Sequence, residues 1–189
     1  IINNVRADFK NYYCVRFYTG LRTSEIDGLP WANIDFDRRQ ILIKQAIVEG
    51  EIVPTKNDGS FRVVDMSTPV HDALLKQKLI SGGHEYVFCN RLGKPFSHNM
   101  VTRKIWHPIL RHLDLKKRRP YQTRHTAATL WLAAGESPEW IARQMGHSST
   151  EMLFKVYSRY VPNLTRQDGS AFEKLIAKYH NIEDDSIQR

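Results

Sequence analysis

No run of about 18 apolar residues occurs in the 189-residue chain, so it offers no candidate for a membrane-spanning helix. No basic leader with an apolar core opens it, which removes the argument for export. There are only two cysteines, Cys14 and Cys89, far apart in a chain long enough to need no staple. They read as reduced, buried thiols of a cytoplasmic protein. Internal repeats and low-complexity tracts are missing, as are the GxSxG elbow of a serine hydrolase and the Gly-rich loop of an NTPase. The eight histidines include no HExxH pair and no His/Cys cluster at ligand spacing, so neither a metal nor any other cofactor is expected. A starting methionine is lacking too, which suggests a piece of a longer protein.

What is present begins with charge. Twenty-eight Lys and Arg against 20 Asp and Glu give a net charge of +8, and the pI is about 9.6. Such an excess attracts polyanions, chiefly nucleic acid. The run Lys116-Lys117-Arg118-Arg119 concentrates it and is the candidate for contact with a DNA backbone. With 41% hydrophobic residues the chain can also bury a proper core.

The periodicity changes twice along the chain. Residues 6–19 carry Val5, Phe9, Tyr12, Tyr13, Arg16 and Phe17 at helical spacing, and Thr19-Gly20 stops that helix. Thr23 or Ser24 caps a short second helix that ends before Pro30. Residues 33–36, 40–48 and 61–65 are rich in Ile, Val and Phe. They predict a small three-stranded antiparallel sheet whose last hairpin, Asn57-Asp58-Gly59, holds Lys56. Taken locally, Lys56 is a solvated turn lysine.

Helices follow at 69–80 and 97–112, the second with Pro108 as a kink. Three short ones come next, at 122–134, 138–145 and 149–159, the middle one started by Ser137-Pro138-Glu139. After the polar stretch 163–169, residues 170–180 align Phe172, Leu175, Ile176 and Tyr179 on one apolar stripe. The predicted class is α+β, mainly α.

Two arginines at helix junctions, a hairpin lysine, a Gly-His pair and a late tyrosine form an inventory suited to phosphodiester chemistry. Arginine's planar fork stabilises the charge spread over a phosphate's oxygens, a lysine protonates a leaving alkoxide, and a phenol attacks phosphorus.

At these residues the chain resembles the tyrosine recombinases of the phage-integrase type. Tyr18-Thr19-Gly20-Leu21-Arg22-Thr23-Ser24-Glu25-Ile26 is similar to that family's first arginine motif, and Thr123-Arg124-His125-Thr126 to its second. Met145-Gly146-His147-Ser148-Ser149, with Tyr157 ten positions after His147, is similar to the box that bears the nucleophile.

The resemblance spans roughly residues 8 to 160. It implies a catalytic domain over 1–162, with 163–189 as linker, amphipathic helix and tail, and the family's N-terminal DNA-binding domains absent. By the same resemblance Arg22 and Arg124 clamp the scissile phosphate, Lys56 is the general acid, and His147 supports the transition state. Tyr157 forms a 3′-phosphotyrosyl link, without ATP or metal. Glu25 buttresses the arginine and His125 the fold. Where the family usually has histidine, three residues before Arg124, this chain has Tyr121, which fits a positioning role better than that of a base.

Further implications are double-stranded DNA as substrate, a homotetramer on it with the C-terminal segment docked on a neighbour or on its own core, accessory proteins, and action at a bacterial nucleoid for integration and excision of a mobile element. Type IB topoisomerase-like relaxation remains open at this point, as does a non-catalytic helix-turn-helix module built from 122–134 and 138–145. Tyr160 is the alternative nucleophile.

Overall fold

Aromatic and aliphatic side chains at every third or fourth position drive the N-terminal segment into a helix that can bury one whole face. The computed structural model describes residues 1–48, 51–54, 61–157, 172–173 and 176–177. After a 3-10 turn at Ala7–Phe9 it begins with α1 (Lys10–Thr19), which buries Tyr12, Tyr13, Val15, Arg16 and Thr19. α1 packs against α3 (Thr68–Ser81) on one side and α6 (Gln122–Ala133) on the other. It is the central strut of the domain.

Between α1 and α3 lie α2 (Thr23–Asp27) and five strands: β1 (Ile34–Asp35), β2 (Gln40–Ile43), β3 (Gln45–Val48), β4 (Glu51–Pro54) and β5 (Arg62–Asp65). The expected three-stranded antiparallel sheet is present in the order β1-β2-β5, with Ile41 opposite both Ile34 and Val64. The expected strand 40–48 is two strands, however, interrupted at Lys44. Its second half pairs with β4 as a separate antiparallel ribbon, Val48 opposite Glu51. The segment Glu51-Ile52-Val53-Pro54 was not legible as a strand because Glu and Pro are both depleted in strands, and Pro survives only where its missing N–H is not needed. The predicted hairpin at 57–59, and Lys56 on it, lie outside the described residues.

The expected helix 97–112 is α4 (His98–Val101), a π-helical turn (Thr102–Trp106) and α5 (His107–His112). Pro108 supplies no N–H and its ring crowds the carbonyl one turn back, so the irregularity falls in the turn just before it. After the exposed basic loop come α6, α7 (Pro138–Met145) and α8 (Glu151–Tyr157). Of the predicted helix at 170–180 only 172–173 and 176–177 are described, and all four residues are helical. The remainder, with Tyr160, lies outside the described residues. Both cysteines are free and partly buried, and burial pushes both thiols up.

The buried side chains form two clusters. The larger runs from Val5 to Leu110 and gathers α1, the sheet, α3 and the α4–α5 segment around Tyr12, Tyr13, Phe88 and Trp106. The smaller holds Ala128, Leu132, Ile141, Ala142, Met145, Leu153 and Tyr157. Among the described residues, no helix is long and apolar enough to cross a membrane.

Candidate active site

The seam between the two clusters is where buried charge collects. α1 ends at Gly20, whose φ of +61° is left-handed backbone that glycine tolerates without strain. A Cβ there would stand 3.2 Å from the Trp131 ring. The bend aims the Gly20 carbonyl at Arg124 on α6, whose NH1 donates to it at 2.6 Å.

α7 closes in the same manner. Gly146, at φ +64°, donates to the Arg143 carbonyl and His147 N–H to the Ala142 carbonyl, a Schellman closure that turns the chain sharply. It leaves two carbonyls facing the seam. The Met145 carbonyl accepts from Arg124 NH2, and the Gly146 carbonyl accepts from Arg22 NH2 at 3.3 Å. The negative end of a helix dipole thus holds both predicted clamp arginines.

The N-cap position of α2 is Arg22, not Thr23 or Ser24 as expected. The Arg22 N–H donates to Glu25 Oε2 at 2.7 Å, and Thr23 is drawn off to accept from Arg16 instead. Glu25 is 3% exposed and serves two arginines. Its Oε1 accepts from Arg22 NH1 and from Arg62 NH1, each at 2.8 Å, while Oε2 also accepts from Arg62 NH2 at 2.8 Å. Burial opposes the charge on Glu25, but the Arg62 hydrogen bonds and the two guanidinium charges prevail and hold its carboxyl down at about 2.

Arg62 reaches on to donate to the Gln144 carbonyl at 2.8 Å. Gln144 and Trp140 in turn grip Asp65, so β5 is fastened to α7 beside His147.

Arg124 is 1% exposed, and burial together with the Arg22 charge pulls its pKa down. Its NH2 lies 3.3 Å from His147 Nε2. With the guanidinium donating, Nε2 is the acceptor and the ring proton sits on Nδ1. Burial, reinforced by Arg124, Arg22 and Arg62, brings the His147 pKa down to about 4. The imidazole is therefore neutral at physiological pH and leaves the positive field to the arginines.

Tyr157 ends α8 and is buried. Burial pushes its phenol up to about 12, against an opposing pull from Arg124. Its hydroxyl lies 2.6 Å from His125 Nδ1. Tyr121, 44% exposed at the start of α6, sets its ring edge against His125 with centroids 5.2 Å apart.

Lys116, Lys117, Arg118 and Arg119 are exposed. Lys116 and Arg118 line a cleft of about 850 Å³ that also contains His125 and Tyr157.

The fold thus brings Arg22, Glu25, Arg124, His125, His147 and Tyr157 into one connected region, with Tyr121 at its rim. Sequence reasoning passed over Arg62 and Arg16. Arg16 sits on α1's apolar stripe, 1% exposed, donating to Thr123, Tyr12 and Thr23, and the Tyr12 hydroxyl in turn donates a hydrogen bond to Asp27 at 2.7 Å. The signal was there in both cases: an arginine at an apolar-face position of a helix, and one at an inward position of an alternating strand.

Two arginines held by helix-end carbonyls beside a buried tyrosine, on a mainly helical α+β domain, define the site. The chain belongs to the phage integrase family, whose model matches residues 2–163. It is 30% identical to the putative defective protein IntQ of Escherichia coli K12, over 80% of this chain and 45% of that protein. It is 24% identical to prophage integrase IntR of the same strain, over 87% of this chain and 46% of that one. The chain spans about half the length of the curated relatives it matches. In fold it is similar to the Tn1549 transposon integrase solved with circular intermediate DNA, with a TM-score of 0.72 and 23% identity, covering 92% of this chain and 61% of that one.

Proposed function

We propose that residues 1–162 form the catalytic domain of a site-specific DNA recombinase that cuts and rejoins strands through a 3′-phosphotyrosyl intermediate. The observation that carries this reading is the convergence of Arg22 and Arg124 on the carbonyls of Gly20, Met145 and Gly146, with His147 against Arg124 and Tyr157 joined to the same region through His125.

In this reading Arg22 and Arg124 bind the non-bridging oxygens of a DNA phosphate. They are already oriented by carbonyls and by Glu25, so little reorganisation is needed when charge develops. Neutral His147 supports the transition state by steadying Arg124 through Nε2, without adding a competing charge. Tyr157 attacks phosphorus, Lys56 protonates the departing 5′ oxygen, and Tyr121 positions its neighbours. Lys116 to Arg119 contact the DNA backbone, where lysine and arginine fix register more than sequence.

Membership of the phage integrase family supports integration and excision of a phage or mobile element as the biological setting. Assembly as a homotetramer on DNA, docking of the 163–189 segment on a neighbour, accessory proteins and a cytoplasmic, nucleoid-associated location belong to the same proposal.

The helix-turn-helix alternative loses support because α6 is committed to the interior, with Arg124 buried and α1 against it, while α7 is tied to β5. Topoisomerase-like relaxation is separated by assay: a two-site recombination product favours the recombinase. The direct test is a nicked duplex that traps a covalent adduct. The chain captures it and Tyr157→Phe does not; capture by Tyr157→Phe would move the nucleophile to Tyr160 or elsewhere.

A further inference from the structure

The attacking phenol must lose a proton, and the side chain at the position where the resembling family carries histidine is Tyr121. Its hydroxyl has no hydrogen-bond partner among the described residues, and its contact with the site is a ring edge laid on His125. The group that touches the nucleophile is His125 itself, with Nδ1 2.6 Å from the Tyr157 hydroxyl and the two rings tilted with centroids 5.6 Å apart. We propose that His125, rather than Tyr121, accepts the phenolic proton of Tyr157 during attack and returns it during rejoining. The inference rests on the strand-transfer reading above.

Two features of the geometry support it, and the electrostatics agree. His125 directly follows Arg124, so the helical turn that anchors the clamp also fixes the distance from clamp to base. Tyr121 lies one turn earlier on the same face of α6 and packs edge-on against the imidazole, which makes Tyr121 a positioning residue for that ring. Burial and the Arg124 charge both lower the pKa of His125, which favours the neutral ring that a proton acceptor needs.

The step balances without a further reactant. The Tyr157 oxygen bonds to phosphorus as its proton passes to His125 Nδ1, and the bond from phosphorus to the 5′ oxygen breaks. The departing oxygen takes its proton from the separate general acid, assigned to Lys56. In rejoining, the 5′ hydroxyl attacks as its proton returns to the general acid, the phosphotyrosyl bond breaks, and the imidazolium gives its proton back to the phenol. A positioned base of this kind is worth about 10²- to 10⁴-fold in rate.

The test is the single-turnover rate of covalent capture on a nicked duplex, followed against pH, for the full chain and for His125→Ala, His125→Asn and Tyr121→Phe. Each of these is repeated with 3-fluorotyrosine at position 157, whose phenol is more acidic. His125→Ala is expected to slow capture by about 10²-fold or more and to make the rate climb steadily with pH. Fluorotyrosine then restores it by about tenfold while changing the unsubstituted chain much less. Tyr121→Phe keeps the ring edge and loses at least about tenfold less than His125→Ala. His125→Asn, which retains a short acceptor, falls between them and guards against a simple folding failure.

Capture by His125→Ala within about threefold of the unsubstituted chain would overturn the assignment. So would a loss that fluorotyrosine does not repair in a folded variant, or a Tyr121→Phe loss as large as that of His125→Ala. If the unsubstituted chain captures no DNA at all, the recombinase reading fails and this inference falls with it. Normal capture with an indifferent His125 sinks only the inference.

Discussion

The two buried clusters are built from different materials. The larger stacks aromatic rings, Phe9 on Phe96 and Tyr13 on Trp106, around a helix it encloses on two sides. The smaller is thin and mostly aliphatic inside, with the Trp131–Trp140 pair against it, and Tyr157 is itself one of its buried residues. Between them runs a seam of buried and half-buried arginines, each of which sends one bond across from its own cluster to the other: Arg16 to Thr123, Arg62 to Gln144, Arg124 to Gly20 and Arg22 to Gly146. The large core therefore sets the reference frame, and the small one carries Tyr157, the proposed nucleophile, up to arginines held by both. Charges that would be a liability in either interior are affordable on the seam because carbonyls and one carboxylate satisfy them.

The strongest way to break this division is to cut the seam. Glu25→Ala leaves buried Arg62 without its carboxylate and should lower unfolding free energy by about 3–5 kcal/mol in urea titrations, with Arg62→Ala costing less because Glu25 keeps Arg22. A change of no more than a few tenths would show that the seam does not join the clusters.

Next in size are matched core truncations. Leu74→Ala in the large cluster and Leu153→Ala in the small one should each cost about 2–5 kcal/mol. At temperatures where both remain folded, only Leu153→Ala should slow capture of a nicked duplex, because that cluster positions Tyr157. Equal rates would erase the functional distinction between the two cores.

Gly20→Ala should destabilise by about 1–3 kcal/mol, since it forces a side chain into left-handed backbone beside Trp131. Thermal melting reads the loss.

Acid separates the seam from its surroundings. Glu25 has its pKa lowered from 4.5 to about 2, so the stability it contributes is complete above pH 4.5 and fades as pH falls toward 2. His147 is likewise depressed, from 6.5 to about 4, and withdraws its contribution as pH falls across that window. Asp27 runs the other way. Burial raises it from 3.8 to about 6, so its favourable contribution is complete below 3.8 and lost as pH rises through 6. Asp27→Asn should therefore steepen the net rise of stability between pH 4 and 6, measured by denaturation at each pH.

The smallest effect belongs to the exposed loop. Lys116→Ala or Lys117→Ala should weaken DNA binding similarly for every sequence and lower the salt slope by about one per lost phosphate contact, with no change in melting.

Much of the local structure was legible, and for identifiable reasons. Gly20, Gly135 and Gly146 all take left-handed backbone where the pattern ended a helix, and Ser137-Pro138 started one where a capped start was expected. The alternating Ile and Val runs placed β1, β2 and β5. The split at Lys44 and strand β4 were not legible, because a short strand bearing Glu and Pro carries its signal only in its partner. Arg16 and Arg62 were passed over because a charged residue at an inward position announces burial without naming what it will meet.

The sequence by itself determined which residue types were available, in what order, and which helix ends bend: the Thr-Gly-Leu-Arg, Thr-Arg-His and Met-Gly-His segments carry those instructions within a few residues. Only the tertiary structure decided that Glu25 serves two arginines, that the α7 carbonyls hold both clamp residues, and that His125 rather than Tyr121 meets the Tyr157 hydroxyl. Caps and turns are decided by hydrogen bonds within one turn of chain. The seam is decided by where two separately packed clusters come to rest against each other.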